Sequence, residues 1–129
     1  MALYEAAFAP GVIEQLVSPE VRYILPSGDI TDRQGLIEGA RRLRAAFSDL
    51  TFRIDEITAV PEGYRVRWTM TGTHDGHLGA MPPTFRRIRV GGEHLESVVD
   101  GIVVARSGHT DHGSLMQQLS GPTETESEP

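Results

Sequence analysis

Apolar and polar positions follow two rhythms along this chain, and the rhythm changes after Phe47. Before it, Leu36, Ala40, Leu43 and Phe47 recur at helical spacing, which predicts a helix over about 32–47 that buries this stripe. Thr31-Asp32-Arg33-Gln34 supplies a capping-box pattern at its start. Upstream, residues 2–8 read as a short helix with Leu3 and Ala7 on one face, ended at Pro10-Gly11. A second helical turn follows over Val12 to Val17, then a short strand over Val21 to Leu25. After Phe47 the period is two. Leu50 to Ala59 alternates with a phase slip near Asp55, and Pro61-Glu62-Gly63 makes a turn. Tyr64 to Thr73 is a long strand with Tyr64, Val66, Trp68 and Met70 in one phase. Thr84 to Val90 continues across Gly91-Gly92 into Glu93 to Val99. Asp100-Gly101 is a hairpin signal, Ile102 to about Asp111 is the last strand, and Leu115 to Leu119 closes with a helical turn.

Helices first and a meander of long strands afterwards predict an α+β fold. N-terminal helices pack on one strongly curved antiparallel sheet, and the resulting cone encloses a pocket. The expected domain is 1–120, and the acidic residues 121–129 read as a disordered tail.

Composition narrows the chemistry. A net charge of −6 argues against nucleic acid as a partner. No run of 18 apolar residues suggests a membrane span, and the first residues lack the pattern of a secretory signal. The chain has no cysteine, which excludes thiolate metal sites and fits a reducing cytoplasm. All 12 basic residues are arginine, so a lysine Schiff base is excluded.

The stretch GTHDGHLGAMPPT, Gly72 to Thr84, raises three readings: a metal loop, a phosphate loop or a structural corner. His74 and His77, like His109 and His112, stand three apart, but no three-ligand histidine pattern exists, so no metal is expected. The glycines are not followed by Lys-Ser/Thr and open no helix, so the phosphate reading fails. Acid–base chemistry remains. On a regular strand His109 and Asp111 share one face, as do His94 and Glu96, while Arg106 has the opposite phase to His109 and Asp111. Each has a structural reading beside the chemical one. Asp111 suits a helix cap, Glu96 with Arg106 suits a cross-strand ion pair, and Trp68 and Tyr64 suit the core. His77 and His112 read as bystanders.

Phe47–Leu50 (FSDL), Gly72–Arg87 (GTHDGHLGAMPPTFRR) and Asp100–Leu119 (DGIVVARSGHTDHGSLMQQL) together resemble the SnoaL-like polyketide and ester cyclases. That group shares the nuclear-transport-factor-2 and ketosteroid-isomerase fold. The resemblance runs from about Leu3 to Ser120 and implies that the GTHDG…PPT segment is turn chemistry joining two long strands at the rim of the cone. It also implies a cofactor-independent enzyme of secondary metabolism, such as antibiotic biosynthesis, that closes a ring by intramolecular aldol condensation on a hydrophobic, oxygenated molecule. A homodimer or dimer of dimers is the implied assembly. His94 takes the place of the family's pocket histidine, seven residues before the hairpin glycine. The family's acid–base aspartate falls at Gly108, and an asparagine on its first short strand falls near Tyr23.

The expected site is therefore His94 and Asp111 as catalytic residues, with Tyr23, Trp68, His74, Glu96, Arg106 and His109 around the substrate. Two arrangements stay open. In one, His94 stands with Glu96 and Arg106; in the other, a bulge at Gly108 brings His109 and Asp111 beside it. The alternatives in function are an isomerase, dehydratase, epoxide hydrolase or hydroxylase of the same fold, or a binding module without catalysis.

Overall fold

The structure is a computed structural model that describes residues 2–25 and 28–120; the tail expected at 121–129 lies outside the described residues. Among the described residues ten elements follow in order: α1 Ala2–Glu5, α2 Pro10–Leu16, β1 Val17–Ile24, β2 Ile30–Thr31, α3 Arg33–Ala46, β3 Thr51–Val60, β4 Gly63–Thr73, β5 Arg87–Val99, β6 Ile102–Thr110 and α4 His112–Ser120. The six strands form one sheet in the order β2-β1-β6-β5-β4-β3. Strands β3 to β6 are the expected antiparallel meander. The α+β expectation holds, and the sheet is curved and unclosed.

Several details differ from the sequence reading. Pro10 starts α2 rather than separating it from α1, because a proline at the first helical position gives up only an amide that has no partner there. The chain reverses before it at Ala7 and Phe8, both with positive φ. Helix α3 is capped by Asp32, which accepts the Gly35 N–H at 3.1 Å, instead of by the Thr31–Gln34 box. Strand β1 begins at Val17, four residues earlier than its alternation indicated, and runs parallel to β6. That pairing joins the two ends of the chain and leaves no local signature. Strand β5 runs through Gly91-Gly92 as expected but begins at Arg87 rather than Thr84.

The phase slip near Asp55 is a register shift between Ile54 and Glu56. Gly108 causes no shift: the β5–β6 register is regular from Gly92↔Thr110 to Ser97↔Ala105, and the irregularity falls at Ser97/Val98.

The inner face of the sheet carries the core. Val66, Met70, Ile88 and Val90 from the sheet meet Leu36, Ile37 and Ala40 of α3, with Leu115 and Leu119 of α4 at one end. Val103 belongs to this core and Val98 packs against it. Leu95, 42% exposed, is apolar on the outer face.

Candidate active site

Strand register stacks the inward side chains in rows. Tyr64, Glu96, Arg106 and Tyr23 lie across β4, β5, β6 and β1 in one row. Val66, His94 and Gly108 form the next, and Trp68, Gly92 and Thr110 the one after. Alternation from one regular register thus puts His94, Glu96 and Arg106 on the same face. Among the two open arrangements, this is the first.

Of these rows, Tyr23, Trp68, His94, Arg106 and Thr110 line a cavity of about 820 Å³ between the sheet, α3 and α4. Its wall is mostly apolar, with Phe8, Leu36, Phe52, Met70, Leu78 and Met116 among its residues. Tyr23, Thr31, Trp68, His94, Arg106 and Thr110 supply polar groups, and Glu38, Arg42 and His112 add charged or titratable ones. An apolar hollow with a few directed polar groups is the usual form of a small-molecule site.

His94 is held by Trp68. The indole Nε1–H donates to His94 Nδ1 at 2.8 Å, and the two rings stack 5.6 Å apart at 16°. An indole N–H can only donate, so Nδ1 must accept, and in the neutral ring the proton sits on Nε2. Burial, with the Arg106 charge and then that of His109 behind it, pushes the His94 pKa down to about 2. The ring is neutral at ordinary pH and offers an Nε2–H donor rather than a basic nitrogen.

Two glycines make this possible. A Cβ on Gly92 would lie 2.2 Å from Trp68 Cζ2, so the indole reaches His94 only by crossing a strand position without a side chain. Gly108 has φ +151°, and a Cβ there would lie 2.1 Å from Glu93 O and 2.8 Å from His94 Cδ2. The position that holds an acid in the resembling family is filled here by the packing of His94 itself.

Arg106 is 4% exposed and its Nε donates to Glu96 Oε2 at 2.9 Å. The guanidinium carbon sits 4.7 Å from the Phe8 ring centre and 5.0 Å from that of Tyr23, placing it between two aromatic faces. Burial opposes its charge, but Glu96, with Tyr4 and Tyr23, holds its pKa above the ordinary arginine value. Glu96 is 1% exposed and takes a second donor on the same oxygen, the Tyr4 hydroxyl at 2.5 Å.

The remaining expected residues stand elsewhere. His109 is exposed on the outer face opposite Glu93, because the regular register from Ala105 to Thr110 turns the odd-numbered positions of that stretch outward. Asp111 is exposed and caps α4, accepting the Ser114 N–H at 3.1 Å. His74 is fully buried in the Gly72–Thr84 corner and absent from the cavity wall. Its backbone N–H bonds Arg86 O, its C=O receives the Phe85 N–H, and Nδ1 accepts the Thr84 N–H at 3.2 Å. Asp75 beside it binds the Ser48 amide at 3.0 Å and the Ser48 hydroxyl, tying the corner to the end of α3. The stretch is a structural corner that also lends Leu78 and Met81 to the cavity.

Tyr4, Phe8 and His112 were missed by the sequence reading. The pattern gave no signal for Tyr4 or Phe8, whose partners lie far away in sequence. His112 lines the cavity together with Leu115 and Met116, because α4 packs back against β5. Among the described residues, no three His, Asp or Glu side chains group as metal ligands, and no helix is long and apolar enough to cross a membrane.

The family model of the SnoaL-like polyketide cyclases matches residues 4–119. The chain belongs to that family. A candidate SnoaL-like polyketide cyclase from Jannaschia sp. CCS1 is similar in structure, with a TM-score of 0.82 at 22% identity over 93% of this chain and 88% of that one. IdmH, a candidate polyketide cyclase from Streptomyces antibioticus, has a TM-score of 0.80 at 26% identity, covering 92% and 94%. AclR, a candidate hydroxylase from Streptomyces galilaeus, has 0.82 at 22%, covering 96% and 78%. A Catenulispora acidiphila protein with a ketosteroid isomerase-like fold, in complex with trimethylamine, has 0.73 at 14%, covering 94% and 91%. No curated protein matches the chain.

Proposed function

We propose that this SnoaL-like protein is a cofactor-independent enzyme that stabilises the enolate of a hydrophobic polycarbonyl molecule and closes a ring by intramolecular aldol reaction. The observation that carries the reading is the Trp68-to-His94 hydrogen bond, which leaves His94 Nε2–H as a fixed donor beside the Arg106 cation in an apolar cavity. Preorganised donors in a water-poor site stabilise developing oxyanions strongly. A proton leaves the carbon between two carbonyls, and the negative charge on oxygen falls to His94 and Arg106. The enolate carbon then bonds to a further carbonyl carbon, whose oxygen takes up a proton. Product and substrate are isomers, so atoms balance without a cofactor. With Gly108 in the acid's place, the proton goes to a base at the cavity wall, where His112 and Glu38 can accept one.

Water activation for epoxide opening is the competing chemistry, and it would use the Arg106–Glu96 pair. Glu96, however, is absent from the cavity wall, which favours ring closure. The test is turnover, in ¹⁸O-labelled water, of a β-polyketo ester and, separately, of an epoxide on the same carbon frame, with products followed by mass. The expected product has the substrate's mass plus a new carbon–carbon bond. Gain of one labelled water would instead establish hydrolysis. Binding with neither change would make the protein a ligand-binding module.

A further inference from the structure

The Glu96–Arg106 pair is end-on. Only Glu96 Oε2 meets Arg106, through Nε, while Oε1 is buried without a hydrogen-bond partner among the described residues. A free carboxylate and guanidinium prefer the two-bond fork, in which both oxygens grip the cation. The second donor on Oε2 explains the departure. Tyr4 is fully buried and gives its hydroxyl to that oxygen at 2.5 Å, across 92 residues of sequence.

The arm that delivers Tyr4 is itself held in place. Tyr4 packs edge-on against Phe8 at 4.8 Å and Phe52 at 6.2 Å. Phe8 covers the Arg106 guanidinium. Ala7 and Phe8 both sit at positive φ, a costly conformation for residues with side chains, and it persists where surrounding contacts over-determine it.

We infer that Tyr4 is a positioning residue: by occupying Glu96 Oε2 it keeps the carboxylate from closing the two-bond fork on Arg106, and so keeps the guanidinium turned to the cavity as an oxyanion donor. This role rests on the enolate-stabilising reading of the site. Without the hydroxyl, Oε1 swings onto Arg106, the cation is more fully neutralised, and its hold on an anionic ligand weakens. The cavity's apolar wall is unchanged, so neutral ligands are unaffected.

The test uses the full chain, with benzoylacetone as an enolisable probe and N-phenyl-1-naphthylamine as a neutral apolar one. Thermal unfolding confirms that each variant is folded. Tyr4→Phe is expected to weaken binding of the enolate, followed by its ultraviolet band, by about tenfold, a size typical of a charge-assisted hydrogen bond. The neutral probe should bind as in the parent chain. Adding Tyr4→Phe to Glu96→Gln should change enolate binding less than about twofold, since the amide cannot form the ionic fork. Equal loss of both probes, no loss of either, or an undiminished effect in the Glu96→Gln background would overturn the inference. The Arg106 Nε–H resonance in ¹H–¹⁵N spectra decides it separately. It should shift in Tyr4→Phe even if the parent chain binds no enolate, a result that would defeat the functional reading alone. An unmoved resonance overturns the positioning role, and this readout also serves if Glu96→Gln does not fold.

Discussion

His74 and His94 are both buried, and both turn Nδ1 toward an N–H donor, the Thr84 amide in one case and the Trp68 indole in the other. The indole can only donate, so His94 carries its ring proton on Nε2; at His74 the Thr84 hydroxyl also stands 2.9 Å from Nδ1 and can give or take that bond. The environment of Nε2 differs between the two rings. His74 Nε2 is sealed among protein atoms beside the Phe47 ring and has no partner among the described residues. The His94 ring forms part of a cavity wall beside a cation. A buried imidazole with Nδ1 engaged thus serves as a strut in a closed corner and lines an open cavity beside a cation. Surroundings, more than residue type, separate structural histidines from chemical ones.

Swapping the rings should expose this. His94→Ala removes a donor aimed at the ligand, and enolate binding or turnover should fall by about 10²–10³-fold, the scale of losing one oxyanion-hole donor. His74→Ala should cost stability in thermal unfolding and leave turnover per folded molecule nearly unchanged. Equal losses of turnover from both would remove the distinction.

Restoring the family acid is the next largest perturbation. Gly108→Asp puts a Cβ against Glu93 O and the His94 ring at a backbone angle that suits glycine. It should destabilise the fold by about 1–3 kcal/mol from the backbone alone. It should also displace His94, so that activity falls. A gain in turnover would mean that the acid can be accommodated after all.

A smaller effect separates protonation of His94 from its position. Its folded-state pKa, about 2, lies below the ordinary 6.5, so below pH 6.5 the unfolded chain takes up the proton and the folded one does not. This site should therefore cost stability progressively as pH falls from 6.5 toward 2, by up to about 1.4 kcal/mol per pH unit, and cost nothing above 6.5. Enolate binding should show no histidine limb that His94→Gln abolishes. The smallest change concerns Asp111. As a cap, Asp111→Ala should cost about 0.5–2 kcal/mol of stability and spare turnover. A collapse of turnover in folded protein would return Asp111 to the chemistry.

Much of this was legible in the residues. Period-two alternation put His94 and Glu96 on one face, and the family frame added Arg106. The Asp55 phase slip and the capping suitability of Asp111 were readable as local chemistry. The rest depended on contacts across the chain. Nothing near Tyr4 announces Glu96, and nothing in β1 announces a parallel partner in β6. Gly91-Gly92 looked like a joint between strands. One of that pair, Gly92, is a gap in the side-chain layer, and it becomes intelligible only with Trp68 lying across it. His112 looked like a bystander because the packing of α4 back against β5 is a tertiary fact.

The central claim is that His94 presents a neutral Nε2–H beside Arg106. Long-range ¹H–¹⁵N correlation of the His94 imidazole, recorded from about pH 5 to 9, tests it most directly. The account predicts one unchanging neutral tautomer, protonated at Nε2, whose Nδ1 signal moves when Trp68 is replaced by Phe. An imidazolium pattern at the acid end, or a proton on Nδ1, would contradict it.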